Sequence, residues 1–325
     1  MTLNEFLAEW HNDNPRILVH TSGSTGKPKP LMVEKQRMLN SARITCDFLG
    51  LKPGDTALLC MPLDYIAGKM MVVRSIERDL RLTSVRPSSH PLADDALPSF
   101  TFAAMVPMQV YNTLKVPCER ERLMRIRHLI IGGGAISDEL AQMIKPLPNA
   151  VWSTYGMTET LSHIALRRLN GPDASLWYTP FDGVGISLNA DDCLVIDAPE
   201  VCAEPLVTND IAQLRTDDRT GKTLFRIKGR KDNVVCSGGI KIQIEEVEET
   251  LRPHLSSPFM IVKKQDEMLG EKAILLTESA DLTHIEEICR NTLPKYWVPR
   301  EFLHIDRLPL TETGKPKRTL PLTPR

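Results

Sequence analysis

Over the first 200 residues, short apolar runs alternate with stretches of helical spacing. Residues 16–20 (RILVH), 55–61 (DTALLCM), 81–85 (RLTSV), 99–107 (SFTFAAMVP), 128–134 (HLIIGGG) and 150–156 (AVWSTYG) have the length and apolar density of buried strands. Residues 38–50, 67–79 and 136–145 bring apolar side chains back every three or four positions, which predicts helices. Gly50 is a stop signal for the first of these and Ser137 an N-cap for the third. Residues 1–15 add a short amphipathic helix with Leu3, Phe6, Leu7 and Trp10 on one face. This strand–helix rhythm predicts an α/β sheet with helices outside it.

Near residue 180 the pattern changes. Residues 183–199 read as a hairpin turning at Asn189–Asp192, and residues 212–229 as a second turning at Asp217–Gly221. A helix over 245–255, a strand pair over 259–279 and a helix over 281–293 capped by Asp281 follow. The chain is therefore expected to divide into residues 1–231 and a small α+β domain over 232–325, with 229–233 (GRKDN) as the linker.

Composition narrows the function classes. Of 325 residues, 42% are hydrophobic and 25% charged, with a net charge of −1, so neither nucleic acid nor an anionic membrane is called for as a partner. Seven cysteines, odd in number and without a C-x-x-C pair, argue against a disulfide framework or structural zinc and for a reducing cytoplasm. No apolar run reaches the ~18 residues of a membrane span. The N-terminal stretch has early acidic residues and lacks an apolar core, unlike a signal peptide.

The densest chemistry follows the first strand, in HTSGSTGKPKP (His20–Pro30). Gly23 and Gly26 permit backbone N–H groups to converge on an anion, Thr21, Ser22, Ser24 and Thr25 add hydroxyl donors, and Lys27 and Lys29 add charge. The spacing is not that of a Walker loop, because only two residues separate the glycines and Pro28 follows Lys27. Read alone, the stretch is either a solvated Gly/Ser turn or a phosphate loop.

TSGSTGKPK resembles the phosphate-loop signature of the adenylate-forming superfamily: acyl- and aryl-CoA ligases, luciferases and peptide-synthetase adenylation domains. Five further stretches resemble the family's motifs in the family's order: HLIIGGGAIS (128–137), YGMTET (155–160), LVTNDIAQL (206–214), GRKDNVVCSGGIKIQIEEVE (229–248) and PLTETGKPKR (309–318). The resemblance implies an adenylate-forming α/β core with mixed sheets and a small mobile α+β C-terminal domain. It implies a two-step reaction, in which a carboxylate and ATP give an acyl-adenylate and coenzyme A then displaces AMP.

Site residues are carried over on the same terms. Thr21, Ser22, Gly23, Ser24, Thr25, Gly26 and Lys27 would hold the β- and γ-phosphates. Gly132, Gly133 and Gly134 would face the adenine, Tyr155 would stack on it, and Gly156 continues that motif. Thr158 would meet the α-phosphate and Glu159 would hold Mg2+. Asp210 and Arg230 would take the ribose hydroxyls. Lys315 would be the catalytic lysine, Asp232 the hinge, and Gly238, Gly239 and Lys241 the loop that receives the thiol. Asn209 stands where the family has glycine, a departure tolerable because asparagine accepts left-handed backbone.

The family usually carries a long region before its phosphate loop, whereas this loop starts near residue 20. The expectation is an N-terminally shortened ligase. The alternatives are a partner chain or homo-oligomer neighbour that completes the missing subdomain, and a non-catalytic nucleotide-binding remnant. Residues 62–80 (PLDYIAGKMMVVRSIERDL) resemble the corresponding region of the o-succinylbenzoate–CoA ligases of menaquinone synthesis, which makes an aromatic dicarboxylic acid the expected substrate and another aryl- or acyl-CoA ligase the runner-up. A second carboxylate asks for a cation. Lys69 and Arg74 are the candidates, about 140° apart on a helical wheel, so at most one faces a given pocket. His20, Tyr65, Ser162 and His163 are further lining candidates.

Overall fold

The computed structural model describes residues 1–20, 30–310 and 317–318. The first stretch folds as the pattern predicts: a helix Leu3–His11 (α1) with a capping box at Thr2, then a strand Arg16–His20 (β1). β1 pairs antiparallel with Pro30–Glu34 (β2), from Arg16 opposite Glu34 to His20 opposite Pro30. Helix Lys35–Leu49 (α2) follows and stops at Gly50, whose φ of 64° is the left-handed cap that glycine supplies at no steric cost.

Next come strand Thr56–Leu59 (β3), helix Ile66–Arg78 (α3), strands Arg81–Ser84 (β4) and Phe102–Met105 (β5), helices Pro107–Lys115 (α4) and Pro117–Met124 (α5), strand His128–Ile131 (β6) and helix Asp138–Ile144 (α6). Ser137 caps α6 by accepting the Leu140 amide at 3.2 Å. Strands Ala150–Gly156 (β7), His163–Arg168 (β8) and Thr179–Pro180 (β9) complete a seven-stranded sheet in the order β4-β3-β5-β6-β7-β8-β9. β4 through β7 along this order pair parallel, and β8 and β9 join antiparallel. Strands β3, β5 and β6 are buried almost throughout, as parallel strands covered on both faces must be. The order reverses between β3 and β5, and in such sheets ligands sit beyond the carboxyl ends of the strands near that reversal.

Strands Gly185–Leu188 (β10), Cys193–Asp197 (β11), Leu206–Thr216 (β12) and Thr223–Arg230 (β13) form a second sheet in sequence order. Asn189 shapes the first turn, its side chain accepting the Asp191 and Cys193 amides at 2.9 Å each. A single 3-10 turn, Lys231–Asn233, leads to strands Val234–Ser237 (β14) and Ile240–Gln243 (β15), helix Ile244–Leu251 (α7), strands Phe259–Asp266 (β16) and Gly270–Thr277 (β17), helix Leu282–Thr292 (α8) and strand Glu301–His304 (β18). β17 pairs antiparallel with β16 along its length and parallel with β18. One face of this sheet packs Val235, Ile242, Ile261 and Leu275 against Val247 and Leu251 of α7 and Ile285 and Cys289 of α8. The other buries Met260, Val262, Ile274 and Leu276 under Ile305 and Leu308.

The chain separates into two compact units, Met1–Ser187 with Val195–Leu206 and Leu214–Phe225, and Leu188–Leu194 with Val207–Gln213 and the described residues from Arg226 onward. No helix among the described residues is long and apolar enough to cross a membrane. All seven cysteines are free; Cys118 and Cys236 are exposed and the other five buried. Burial pushes the thiols of Cys60 and Cys289 up to about 12.

Candidate active site

The phosphate-loop candidates Thr21, Ser22, Gly23, Ser24, Thr25, Gly26 and Lys27 lie outside the described residues, as does Lys315. The residues bracketing that loop are fixed: His20 and Pro30 are paired across β1 and β2. Lys69, on α3, is buried and donates from Nζ to the Leu18 carbonyl at 2.7 Å, tying α3 to β1. Burial lowers its ammonium below the ordinary lysine value. Tyr65 is the exposed residue just before α3.

The parallel strands end in the two motifs the sequence singles out. Gly132 follows β6, and a Cβ there would lie 2.5 Å from Thr154 Oγ1 on β7, so the Thr154 side chain occupies the space a side chain would need. Gly133 follows with φ +80°, then Gly134. At the end of β7 the register slips between Tyr155 and Gly156, which faces His163. A Cβ on Gly156 would overlap the Ser162 carbonyl and lie 2.5 Å from His163 Cα. Tyr155 packs edge-on to Phe225 at 5.0 Å and tilted against Tyr178 at 5.8 Å.

Between Gly156 and His163 the chain makes a tight knot. Thr160 Oγ1 accepts the Met157 amide at 2.9 Å and lies 2.6 Å from the Ser162 carbonyl. The Leu161 amide donates to the Thr158 carbonyl at 2.9 Å, and Leu161 itself is held at φ +64°, a conformation costly for a branched side chain. Thr158 is buried in this knot and Glu159 is exposed on it.

This strained turn delivers Ser162 and His163 to α3. Arg74 is buried and donates from Nη2 to Ser162 Oγ at 2.5 Å. Its Nε is also buried and has no hydrogen-bond partner, and among the described residues no carboxylate pairs with it. Burial pushes the guanidinium down to about 10, opposed in part by Cys46. His163 Nδ1 lies 3.2 Å from Ser162 Oγ, and its Nε2 3.2 Å from Thr45 Oγ1 of α2. Burial first, then the charge of Arg74, holds the imidazole well below the usual histidine range. Lys69 and Arg74 thus point to different places, as their angular separation predicts, and Arg74 joins Ser162 and His163 in one cluster.

In the second unit, Asp210 and Arg230 come together: Arg230 Nη1 donates to Asp210 Oδ1 at 3.2 Å and Nη2 to Asp232 Oδ2 at 3.1 Å. Asn209 lies within β12 and is not among the residues with positive φ. Its tolerance therefore does not rest on left-handed backbone, as the sequence reading supposes; its side chain donates to Asp232 Oδ2 at 3.4 Å. Gly238 (φ +56°) and Gly239 (φ +83°) form the two-residue turn joining β14 to β15, closed by the Ser237–Ile240 pair. Both central residues need positive φ, hence two glycines. Lys241 is exposed on β15, opposite Cys236.

The family model for "AMP-binding enzyme" matches residues 4–205. The chain belongs to this AMP-binding enzyme family. A 2-succinylbenzoate–CoA ligase of Bacillus mycoides is 26% identical over 94% of this chain and 69% of its own length. The chain spans about two thirds of the length of the curated relatives it matches. Among solved structures, an acyl-CoA synthetase (AMP-forming)/AMP-acid ligase II-like protein of Dyadobacter fermentans is 34% identical, with a TM-score of 0.67 over 97% of this chain and 91% of that one. O-succinylbenzoate coenzyme A synthetase of Bacillus subtilis, in complex with ATP and magnesium ion, shares the fold with a TM-score of 0.73 at 23% identity, over 93% of this chain and 68% of that one. The adenylate-forming core expected from the motifs is the fold observed.

Two contributors to the AMP-binding chain's cluster are invisible in its motifs. Thr45 and Ser41 lie on α2, one helical turn apart, and read as ordinary helix positions. Only the fold brings that turn against β8.

Proposed function

We propose that this chain activates a carboxylic acid with ATP and passes the acyl group to coenzyme A. A carboxylate oxygen attacks the α-phosphorus and the bond to pyrophosphate breaks. The thiol sulfur then attacks the acyl carbon, the bond to AMP breaks, and the thiol proton leaves to solvent. The acid is o-succinylbenzoate, in a reducing cytoplasm.

The observation that carries the choice of acid is Arg74: a buried guanidinium with a neutral serine as partner and an Nε left unsatisfied. A buried cation without an anion is costly, and a carboxylate on the substrate would remove that cost. A planar guanidinium can take a carboxylate through two N–H groups, which gives direction as well as charge. A fatty acid has only the carboxylate that is adenylated and no second one to offer such a group. The names of the curated relatives support the same acid.

The remaining roles follow the motifs. Residues 21–27 hold the β- and γ-phosphates, Thr158 the α-phosphate, Gly132–Gly134 and Tyr155 the adenine, and Asp210 with Arg230 the ribose. Lys315 neutralises the carboxylate and phosphate as they approach. Asp232 is the hinge about which the C-terminal domain turns between steps, and Gly238, Gly239 and Lys241 then attend the thiol. Among the described residues no group of three or more acidic, histidine or cysteine side chains could cage a metal. An exposed single carboxylate, Glu159, suits Mg2+, which keeps several waters and binds through one or two carboxylates plus substrate phosphates. Bound there, Mg2+ would neutralise phosphate charge.

The test is pyrophosphate release by the purified chain with ATP and Mg2+, against aromatic and aliphatic acids, followed by addition of coenzyme A. Release with o-succinylbenzoate, and a thioester after it, is the expected outcome. Release with a different acid keeps the chemistry and discards this substrate. Silence until a second chain or a further N-terminal segment is supplied would mean that residues outside these 325 complete the site.

A further inference from the structure

The cluster around Arg74 is a directional chain of hydrogen bonds, and its direction can be deduced. Thr45 Oγ1 has two partners, the Ser41 carbonyl at 3.1 Å and His163 Nε2 at 3.2 Å. A hydroxyl has one hydrogen, and a carbonyl can only accept, so that hydrogen goes to Ser41. His163 Nε2 must then carry the proton and donate to Thr45. Its Nδ1 is left bare as an acceptor, and Ser162 Oγ donates to it. With its hydrogen so engaged, the Ser162 oxygen turns a lone pair to Arg74 Nη2 at 2.5 Å. With the proton on Nδ1 instead, Ser162 would face two donors and its own hydrogen would have no acceptor in the chain of contacts. The Nε2–H form alone satisfies all four links.

The supports around this chain are closely packed. Phe181 packs on the imidazole with ring centroids 5.4 Å apart. Leu161, immediately before Ser162, is held in its left-handed conformation by the Thr160 knot. Backbone strain of this kind persists only where the surroundings over-determine it.

We propose that His163 and Thr45 are positioning residues for the acid: through Ser162 they fix one edge of the Arg74 guanidinium, so that its remaining N–H groups are presented to the second carboxylate of an aromatic dicarboxylic substrate. This rests on the reading of Arg74 in the preceding subsection. His163 works here as a tautomer-fixed spacer, neither an acid nor a base. Thr45, on a different helix from Arg74, sets its direction.

The experiment has two arms. The first is 15N NMR of histidine-labelled protein without substrate, with the His163 resonances assigned by their loss in His163→Asn. A protonated Nε2 and a bare Nδ1 in the wild type, changing to a mixture in Thr45→Val, is expected. A protonated Nδ1 overturns the relay. The second arm measures kcat/KM for o-succinylbenzoate relative to benzoate, which lacks the second carboxylate. Thr45→Val, nearly isosteric and the safer variant for folding, should lower that ratio about tenfold, mainly through KM. His163→Asn, whose side-chain oxygen can still accept from Ser162, should lower it less than His163→Phe. If Arg74→Met leaves the ratio unchanged, the reading of Arg74 fails and the positioning claim with it. If Arg74→Met collapses the ratio while Thr45→Val and His163→Phe leave it intact, only the positioning claim is overturned.

Discussion

Arg318 and Glu248 form a two-pronged pair in the C-terminal unit. Arg318 Nη1 meets Glu248 Oε1 at 2.5 Å and Nη2 meets Oε2 at 2.8 Å, with both side chains largely buried. The same groups clasp β16, since Arg318 also donates to the Ile261 carbonyl at 2.7 Å and Glu248 accepts the Ile261 amide at 2.8 Å. Removing one partner leaves an uncompensated charge, which costs ~3–5 kcal/mol. Glu248→Gln is expected to lower the urea midpoint sharply. The double variant Glu248→Met/Arg318→Met should recover a good part of that loss. Equal midpoints for wild type and Glu248→Gln would show that the pair contributes nothing.

Gly156 is the second sensitive point. A methyl group there overlaps the Ser162 carbonyl, and neither backbone can move without undoing the β7–β8 register. Gly156→Ala should lower Tm by several degrees and reduce adenylation far more than a surface Gly→Ala change such as Gly185→Ala, where a Cβ meets only ordinary contacts. Full activity in Gly156→Ala would mean that the turn carrying Ser162 is softer than its contacts imply.

His163 also sets a pH dependence. Its folded-state pKa lies well below its ordinary value of about 6.5, so below pH ~6.5 the unfolded chain binds a proton that the folded chain refuses. The stabilisation from a neutral His163 is therefore present above that pH and declines as pH falls through it toward the folded value. His128, lowered mainly by its burial, adds the same sign. Unfolding free energies between pH 7.5 and 5 should fall with a slope approaching ~1.4 kcal/mol per pH unit for each such group. His163→Asn should remove its share of the slope, and an unchanged slope would place a charged imidazole in the fold.

Gly239 tests whether the two proposed half-reactions use separate surfaces. Its φ of +83° excludes a branched side chain at little cost in packing, because no atom lies within 4 Å of the Cβ position. Gly239→Val should distort the β14–β15 turn by ~1–2 kcal/mol of backbone strain. Pyrophosphate release should change less than twofold and thioester formation should fall at least tenfold. Parallel loss of both would sever this turn from the thiol step.

Much of the first unit is legible in the sequence, because each long apolar run has one way to be buried. Strands β1 and β7 fall on the predicted residues, and α6 and α8 start at the predicted caps Ser137 and Asp281. The short helices α4 and α5 escape a periodicity reading at nine and eight residues, although Pro107 and Pro117 sit at their first positions, where proline favours a start. The β14–β15 turn hides inside a motif read for its glycines. At the site, the motifs supply Gly132, Gly156, Asp210 and Arg230. They do not supply Thr45, whose role depends on a contact between residues 118 apart in the chain. Nor do they supply the reason Asn209 is accepted, which is a strand position with a side-chain partner.

The distribution of the cysteines gives the chain its own ruler. Five thiols are inside, and those of Cys60 and Cys289 ionise only near pH 12, so a maleimide at neutral pH finds Cys118 and Cys236 first. Cys118 lies in the first unit and Cys236 in the second, three residues before the Gly239 turn. A donor and an acceptor dye on the unmodified sequence would therefore report any change of separation as ATP, acid and thiol are added in turn, with no cysteine engineered in or out.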